Sequence, residues 1–401
     1  MEYQGIVITG TSGAEKSTIA RKFCEKFKGF RIVQAVTTRE RRDDDQVNMY
    51  EHVSKEEFVT LDKDEKLLVK AKYRGENYGI THQSLKSVLD DRKVPILVLT
   101  PVSTRTLQKR GGEGEALNFF TIFLDAPDGV LDARLQHRGE QINDSTQKQR
   151  GADREYAKDC LYAISNSIDV SVEDTAELVY SLWKHRCEGA LLPGKMIQLM
   201  IKCGMLLKEA GIGKVSGASY DLSLGDQYWL DGEKKTLNGD DPFVKLKPGD
   251  YAIVSSKEIA DFPRDIAGRF DLTVSLFCQG VILSNGPQVD PGFSGRLFCL
   301  LFNTSNTTIT LKRGEHYATL EFIKLLEPTT PYSGKYQGKD NIIDYLPKPA
   351  EPSVISKIRE DVDSLKSARW WEKTLPIILT MLAIILAIVM AVILFFIQKP
   401  Q

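Results

Sequence analysis

The sequence has almost no net charge: 53 Lys and Arg face 54 Asp and Glu, leaving −1. No bulk field draws such a chain to nucleic acid, so no nucleic-acid partner is expected and any anion site has to be local. Cysteine is scarce. The six are Cys24, Cys160, Cys187, Cys203, Cys278 and Cys299, and no two stand as C-x-x-C. Without a secretory signal at the start, this argues against a disulfide framework and against zinc, and for a reducing compartment. The five histidines are scattered and suggest no metal cluster. What is present is 401 residues, 42% hydrophobic and 27% charged, room for two or three domains that each bury a core.

Charge is missing altogether from Thr374 to Ile397, TLPIILTMLAIILAIVMAVILFFI. At about 1.5 Å per residue this run reaches about 36 Å, enough to cross a hydrocarbon core of about 30 Å with some tilt. Trp370 and Trp371 stand where an interfacial anchor belongs, with Arg369 and Lys373 beside them. The run therefore predicts one transmembrane helix over 374–397: a single-pass, tail-anchored protein with its soluble domains in the cytoplasm and the membrane as a partner. Residues 346–373 read as a linker, Pro347–Pro352, followed by a stalk helix. Its Ile355, Ile358, Val362 and Leu365 recur at 3-4-3 spacing, the seam of a helical junction or one face of a solvated linker helix. Whether the span only anchors or also perforates the bilayer stays open.

At the other end, Gly5–Thr9 is a short apolar strand. It is followed by Gly10-Thr11-Ser12-Gly13-Ala14-Glu15-Lys16-Ser17 and a helical run. Strand, glycine loop and a helix opening on Lys-Ser form the context of a phosphate-binding P-loop. Backbone N–H groups converge on phosphate, Lys16 reaches its outer oxygens, and Ser17 can hold the Mg²⁺ that accompanies a nucleotide. Further strands at Val94–Leu99 and Phe119–Leu124, alternating with helices, predict a parallel α/β sheet over residues 1–186. One position departs from G-x-x-x-x-G-K-[ST]: Glu15 stands where glycine is required. A free carboxylate there, about 4 Å from a phosphate at an effective dielectric near 20, costs about 4 kcal/mol. Weak triphosphate binding is expected.

Beyond the loop, Val36-Thr37-Thr38-Arg39-Glu40-Arg41-Arg42, Tyr50 with Val53-Ser54, Tyr78-Gly79, and Arg134, Arg138 and Arg150 follow in order. In these segments the domain resembles guanylate kinase. The resemblance implies that Arg39, Arg42, Tyr50 and Tyr78 hold a nucleoside monophosphate's phosphate. It makes Arg134, Arg138 and Arg150 lid arginines, joining Gly10, Gly13, Lys16 and Ser17 as the phosphate site. Guanidinium forks and phenols suit that task. The family's acidic reader of the guanine edge falls at Val69 and its serine at Ala35, so specific GMP recognition is not expected.

From about 190 to 345 the pattern changes to short apolar or alternating runs broken by glycine and proline, such as Tyr251–Ser255, Leu272–Phe277 and Arg296–Phe302, an all-β signature. A leading helix is expected over Met196–Leu207. Ala218-Ser219-Tyr220-Asp221-Leu222-Ser223-Leu224-Gly225, Val289-Asp290-Pro291-Gly292-Phe293-Ser294-Gly295 and Lys335-Tyr336-Gln337-Gly338 resemble, in this order, the dCTP deaminase and dUTPase superfamily. The resemblance implies a distorted β-barrel that trimerises, with sites between subunits formed by Ser219, Asp221, Ser275, Asp290, Gly292, Tyr336 and Gln337. It also places the deaminase's catalytic glutamate at Leu300, and leucine cannot move protons. Asp290 is the remaining catalytic candidate, to orient water as in dUTPases, or simply a turn-forming aspartate in D-P-G.

The expected protein is thus multidomain: an α/β P-loop domain, an all-β dUTPase-like barrel, a stalk and one membrane helix. The leading functional reading is a membrane-anchored nucleotide sensor or effector, a homotrimer whose two domains keep binding frameworks but lack catalytic groups. Two others stay open: an active enzyme of nucleotide metabolism, either a dUTP or dCTP hydrolase or a nucleoside monophosphate kinase, and a protein-interaction scaffold.

Overall fold

The computed structural model describes residues 3–41, 49–73, 75–110, 118–283, 287–346 and 354–397; the side chains of 109–110, 354–360, 367–368, 370–373 and 391–397 are outside that description. The first domain is built on a five-stranded sheet in the order Phe30–Ile32, Val94–Val98, Gly5–Gly10, Phe119–Asp125, Tyr162–Ser165. Every neighbouring pair in it is parallel. The central strand is buried along its whole length, which is why its apolar residues Ile6, Val7 and Ile8 are consecutive rather than alternating. Ile19, Ala20 and Phe23 of the Lys16–Lys26 helix are buried in the core. Phe27 at the end of that helix stacks on Tyr180 with ring centroids 3.8 Å apart, tying it to the Val172–Lys184 helix.

A second, four-stranded sheet was not legible in the sequence. It runs Tyr50–His52, Ala35–Thr37, Glu76–Thr81, Leu67–Tyr73. Its residues Ala35, Tyr50, Tyr73, Glu76 and Tyr78 line the cleft that the phosphate loop also lines.

The second domain is a curled all-β structure. Its long strands Ser219–Leu230, Tyr251–Asp261, Ser294–Asn303 and His316–Lys324 pair antiparallel. Side chains of Ser294–Asn303 alternate strictly between half-exposed and buried, the period of a sheet with one face on a core. Register shifts between Leu224 and Tyr228 and between Ser255 and Ile259 bend the strands. The leading helix is shorter than expected, Gly194–Lys202. It stops before Gly204, whose φ of 76° lies in the left-handed region, and the chain continues as the strand Leu206–Lys208. A Cβ on Gly204 would stand 2.9 Å from the Ser165 Cβ, so the close approach of the two domains requires glycine there.

The two domains share one apolar core, which runs from Ile6 and Ile164 to Tyr220 and Phe322. The expected stalk and span form a single helix, Val354–Ile397, with Pro376 inside it. Its seam residues Val362 and Leu365 are exposed in the single chain. Among the described residues no helix is long and apolar enough to cross a membrane. The expected span ends in side chains 391–397, and the side chains of Trp370, Trp371 and Lys373, like the linker 347–352, lie outside the described residues.

Candidate functional site

The phosphate loop is shaped by glycine where the backbone demands it. Gly10 has φ 143°, and a Cβ there would meet the Leu124 carbonyl oxygen at 1.9 Å. Gly13 has φ 87°. Glu15 occupies the left-handed region as well, with φ 64° and ψ 25°, which costs a residue with a Cβ about 1–2 kcal/mol. The Lys16 ammonium donates to the carbonyls of Gly10 at 3.0 Å and Thr11 at 2.7 Å, so it folds back over the loop. Ser17 lines the cleft beside it.

The sequence reading treated Glu15 as a free anion, and the structure corrects this. One carboxylate oxygen accepts from the Thr18 hydroxyl at 2.8 Å and the other from the Arg138 guanidinium at 3.1 Å. The bare repulsion derived above therefore overstates the penalty. Arg138, expected to serve phosphate, is held by the residue that replaces glycine. Arg134 donates to the Gly13 carbonyl at 3.3 Å, and burial lowers its pKa from the ordinary value.

The cleft encloses about 290 Å³ and is lined by Gly13, Lys16, Ser17, Arg39, Tyr50, Tyr78 and Arg138 among others. Arg39 lies over the Tyr50 ring at 5.4 Å from its centroid. Arg42 is outside the described residues. Arg150 is 7% exposed and pairs with Asp128 at 3.0 Å and Asp132 at 2.7 Å, away from the cleft lining. It braces the lid helices in this arrangement. Val69 is fully buried, while Ala35 reaches the cleft. Sequence reading missed Arg21, Tyr73 and Glu76 in the lining; the Glu76 carboxylate accepts from the Thr38 hydroxyl at 2.7 Å. Asp125 was missed too. It accepts from the Thr11 hydroxyl at 2.8 Å and from Arg154 at 2.7 Å, fixing the loop to the end of the neighbouring strand.

In the second domain Asp290 and Tyr336 line a cleft of about 160 Å³ together with Gln288, Arg296, Phe298, Tyr332 and Tyr345. The Gln288 amide donates to the Asp290 carboxylate at 3.0 Å. Gly292 has φ 76°, and a Cβ there would lie 2.5 Å from the Pro331 Cβ. The returning tail needs that space. Gln337 donates to the Gly292 carbonyl at 2.9 Å and accepts from the Ser294 N–H at 3.1 Å, while Tyr336 stacks on Tyr345 with centroids 4.7 Å apart. The tail is thus clamped onto the D-P-G-F turn.

Ser219, Asp221 and Ser275 do not line this cleft. Asp221 pairs with His316 at 3.3 Å, and Ser275 sits on the short helix Val274–Cys278 beside Thr273. Leu300 is half-exposed on the same strand as Arg296 and Phe298. Glu258 carried no signal in the sequence. It is buried and accepts from the Tyr220 hydroxyl at 3.2 Å and from the Ser223 N–H and hydroxyl at 3.0 and 2.7 Å. Among the described residues no group of three or more His, Cys, Asp or Glu is arranged to hold a metal ion.

Each of the two domains matches a family model of its own. The family model for guanylate kinase matches residues 2–182, and the dCTP deaminase-like model matches residues 191–325. The chain is 35% identical over 144 residues to a dCTP deaminase of Pyrococcus horikoshii, covering 36% of this chain and 91% of that protein. It is 37% identical over 143 residues to a dCTP deaminase of Thermococcus kodakarensis, covering 35% and 91%. Among solved structures, guanylate kinase from Anaplasma phagocytophilum is similar over 45% of this chain and 85% of its own, at 21% identity and a TM-score of 0.36. The 2'-deoxycytidine 5'-triphosphate deaminase from Agrobacterium tumefaciens covers 34% and 49%, at 18% identity and a TM-score of 0.30. Through its second domain the chain belongs to the dCTP deaminase-like family, and it carries that domain behind a guanylate kinase-like one.

Proposed function

We propose that this protein senses nucleotides at a membrane: it binds a phosphorylated nucleotide in its paired domains and signals through the terminal helix without turning the ligand over. The observation that carries the reading is the Glu15–Arg138 pair, 3.1 Å apart in a cleft whose lining also includes Lys16, Ser17, Arg39, Tyr50 and Tyr78. Such a cleft can hold a phosphate once Arg138 and Lys16 exchange their bonds to the loop for bonds to the ligand. Arg39, Tyr50 and Tyr78 supply a guanidinium and two phenols for a monophosphate. Ser17 offers Mg²⁺ a single hydroxyl. That ion takes most of its ligands from phosphate oxygens and water, so it would arrive with the nucleotide.

In the second domain the nucleotide would meet Asp290, Tyr336 and the clamped tail. Leu300 stands where the resemblance puts a glutamate, and a hydrocarbon cannot carry a proton between water and a pyrimidine amine. The separation of Ser219, Asp221 and Ser275 from Asp290 within one chain fits a site completed by neighbouring copies, hence a homotrimer. The uncharged run 374–397, the last part of the Val354–Ile397 helix, would lie in the bilayer, with the soluble domains in the cytoplasm.

Calorimetry and thermal shift with a panel of ribo- and deoxynucleotides test this. Saturable binding to the detergent-solubilised chain supports it, and identical behaviour with and without every nucleotide removes it. Asp290 favours one competing reading, hydrolysis of dUTP or dCTP, because its carboxylate faces a cleft able to hold water. Phosphate release abolished by Asp290→Asn would establish that reading instead.

A further inference from the structure

The strand Tyr162–Ser165 is the outermost of the parallel sheet, and it is gripped at both ends. Just past its C-terminal end, Asn166 is buried and donates from its amide to the Ala14 carbonyl at 3.2 Å, the peptide that leads into Glu15. The Asn166 backbone N–H donates to the Asp125 carbonyl at 2.7 Å. One residue back, the Ser165 N–H crosses to the second domain and donates to the Cys203 carbonyl at 2.8 Å, against the bare Gly204.

At the strand's other end the buried Tyr162 hydroxyl donates to the Asp265 carboxylate. Asp265 also pairs with Lys324 at 3.0 Å, both side chains almost wholly buried. Residues 262–265 are in turn bonded to the wall of the Asp290 cleft. The Phe262 N–H donates to the Phe293 carbonyl at 2.9 Å, and the Gly292 N–H donates to the Pro263 carbonyl at 3.2 Å. Hydrogen bonds joined by two short stretches of backbone therefore lead from the phosphate loop to the D-P-G-F turn. Two oxygens on it, Asn166 Oδ1 and Asp265 Oδ1, are buried with no partner among the described residues. An unpaired buried oxygen is costly, so each of these two would gain from an arrangement that gave it a donor.

We infer that the Tyr162–Ser165 strand couples the two clefts, so that phosphate entering the loop changes the affinity of the Asp290 cleft. Phosphate binding displaces Arg138 from Glu15 and resets the Ala14–Glu15 peptide. Asn166 follows that peptide, and the shift reaches residues 290–293 through Tyr162 and Asp265. Linkage makes the effect reciprocal: a ligand in the barrel changes affinity at the loop by the same factor. The inference rests on both clefts taking nucleotides, as proposed above.

The full-length, detergent-solubilised chain tests it in two arms. In calorimetry, dCTP probes the barrel with and without saturating ATP and Mg²⁺. Coupling predicts a change of about fivefold or more in the dCTP dissociation constant, and Tyr162→Phe brings that factor close to one while dCTP still binds. In the ligand-free chain, Tyr162→Phe speeds amide deuterium exchange at 262–266 and 290–293. Equal dCTP affinity with and without bound ATP, or unchanged exchange at 290–293, overturns the coupling. A complete absence of dCTP binding would instead remove the sensing reading, and the exchange arm then decides the strand's role by itself.

Discussion

The Glu15 carboxylate and the Arg138 guanidinium lie 3.1 Å apart above the phosphate loop, each about a quarter exposed. The one acidic residue in the loop and a lid arginine are thus paired directly. A pair this accessible is worth about 0.2–1 kcal/mol, less than the strain of holding Glu15 in the left-handed region, about 1–2 kcal/mol.

Glu15→Gly is therefore expected to leave the fold as stable or more stable, to free Arg138, and to tighten ATP–Mg²⁺ binding by about tenfold or more. Glu15→Ala removes the charge but keeps the Cβ, so it should fall between the two. Calorimetry on the three proteins checks this. Equal affinities would mean that the loop does not govern binding.

The Asp265–Lys324 pair is buried to within a few per cent of complete. Removing one partner strands the other charge. Lys324→Met is expected to destabilise the chain by about 3–5 kcal/mol in urea unfolding, with part of the loss recovered on adding Asp265→Asn. A loss under about 1 kcal/mol would show that water reaches this seam.

Burial pushes the thiols of Cys160, Cys203 and Cys299 up to about 12, and that of Cys24 to about 11. Only the thiolate is the nucleophile, and a raised pKa leaves little of it near neutral pH. Iodoacetamide at pH 8 is expected to label Cys187 and Cys278, both exposed, before the other four. Peptide mass spectrometry reads the order, and rapid labelling of Cys299 in the native chain would contradict the packing described.

If residues 374–397 cross a bilayer, two lysines near the middle of the run should expel it. Each costs about 2.5–3.5 kcal/mol at the centre of a membrane helix. Leu382→Lys with Ile385→Lys is expected to move the full chain from a carbonate-resistant membrane fraction to the supernatant. An unaltered chain that carbonate already extracts would remove the anchor from the account.

Much of this architecture was legible because its signals are local. Gly10, Gly13, Lys16 and Ser17 sit within eight residues and fold into a loop by their own geometry. The alternation of Ser294–Asn303 reports its buried face directly. What was hidden depends on distant partners. Glu15 looked like an uncompensated charge because Arg138 lies 123 positions away. The small cleft-lining sheet is made of strands three to seven residues long that only pairing stabilises. The expected helix to Leu207 ended early because Gly204 has to fit against Ser165 of the other domain. Tyr162 and Asp265 are unremarked residues until the fold brings them together across 103 positions.

The central claim is that the clefts hold nucleotide without transforming it. The most direct test incubates the unaltered, solubilised chain with each nucleotide that binds it in calorimetry, then follows phosphate, ADP and deaminated product by mass spectrometry. The account predicts saturable binding with the ligand recovered intact; rapid conversion of any bound nucleotide, lost on Asp290→Asn or Lys16→Ala, would contradict it.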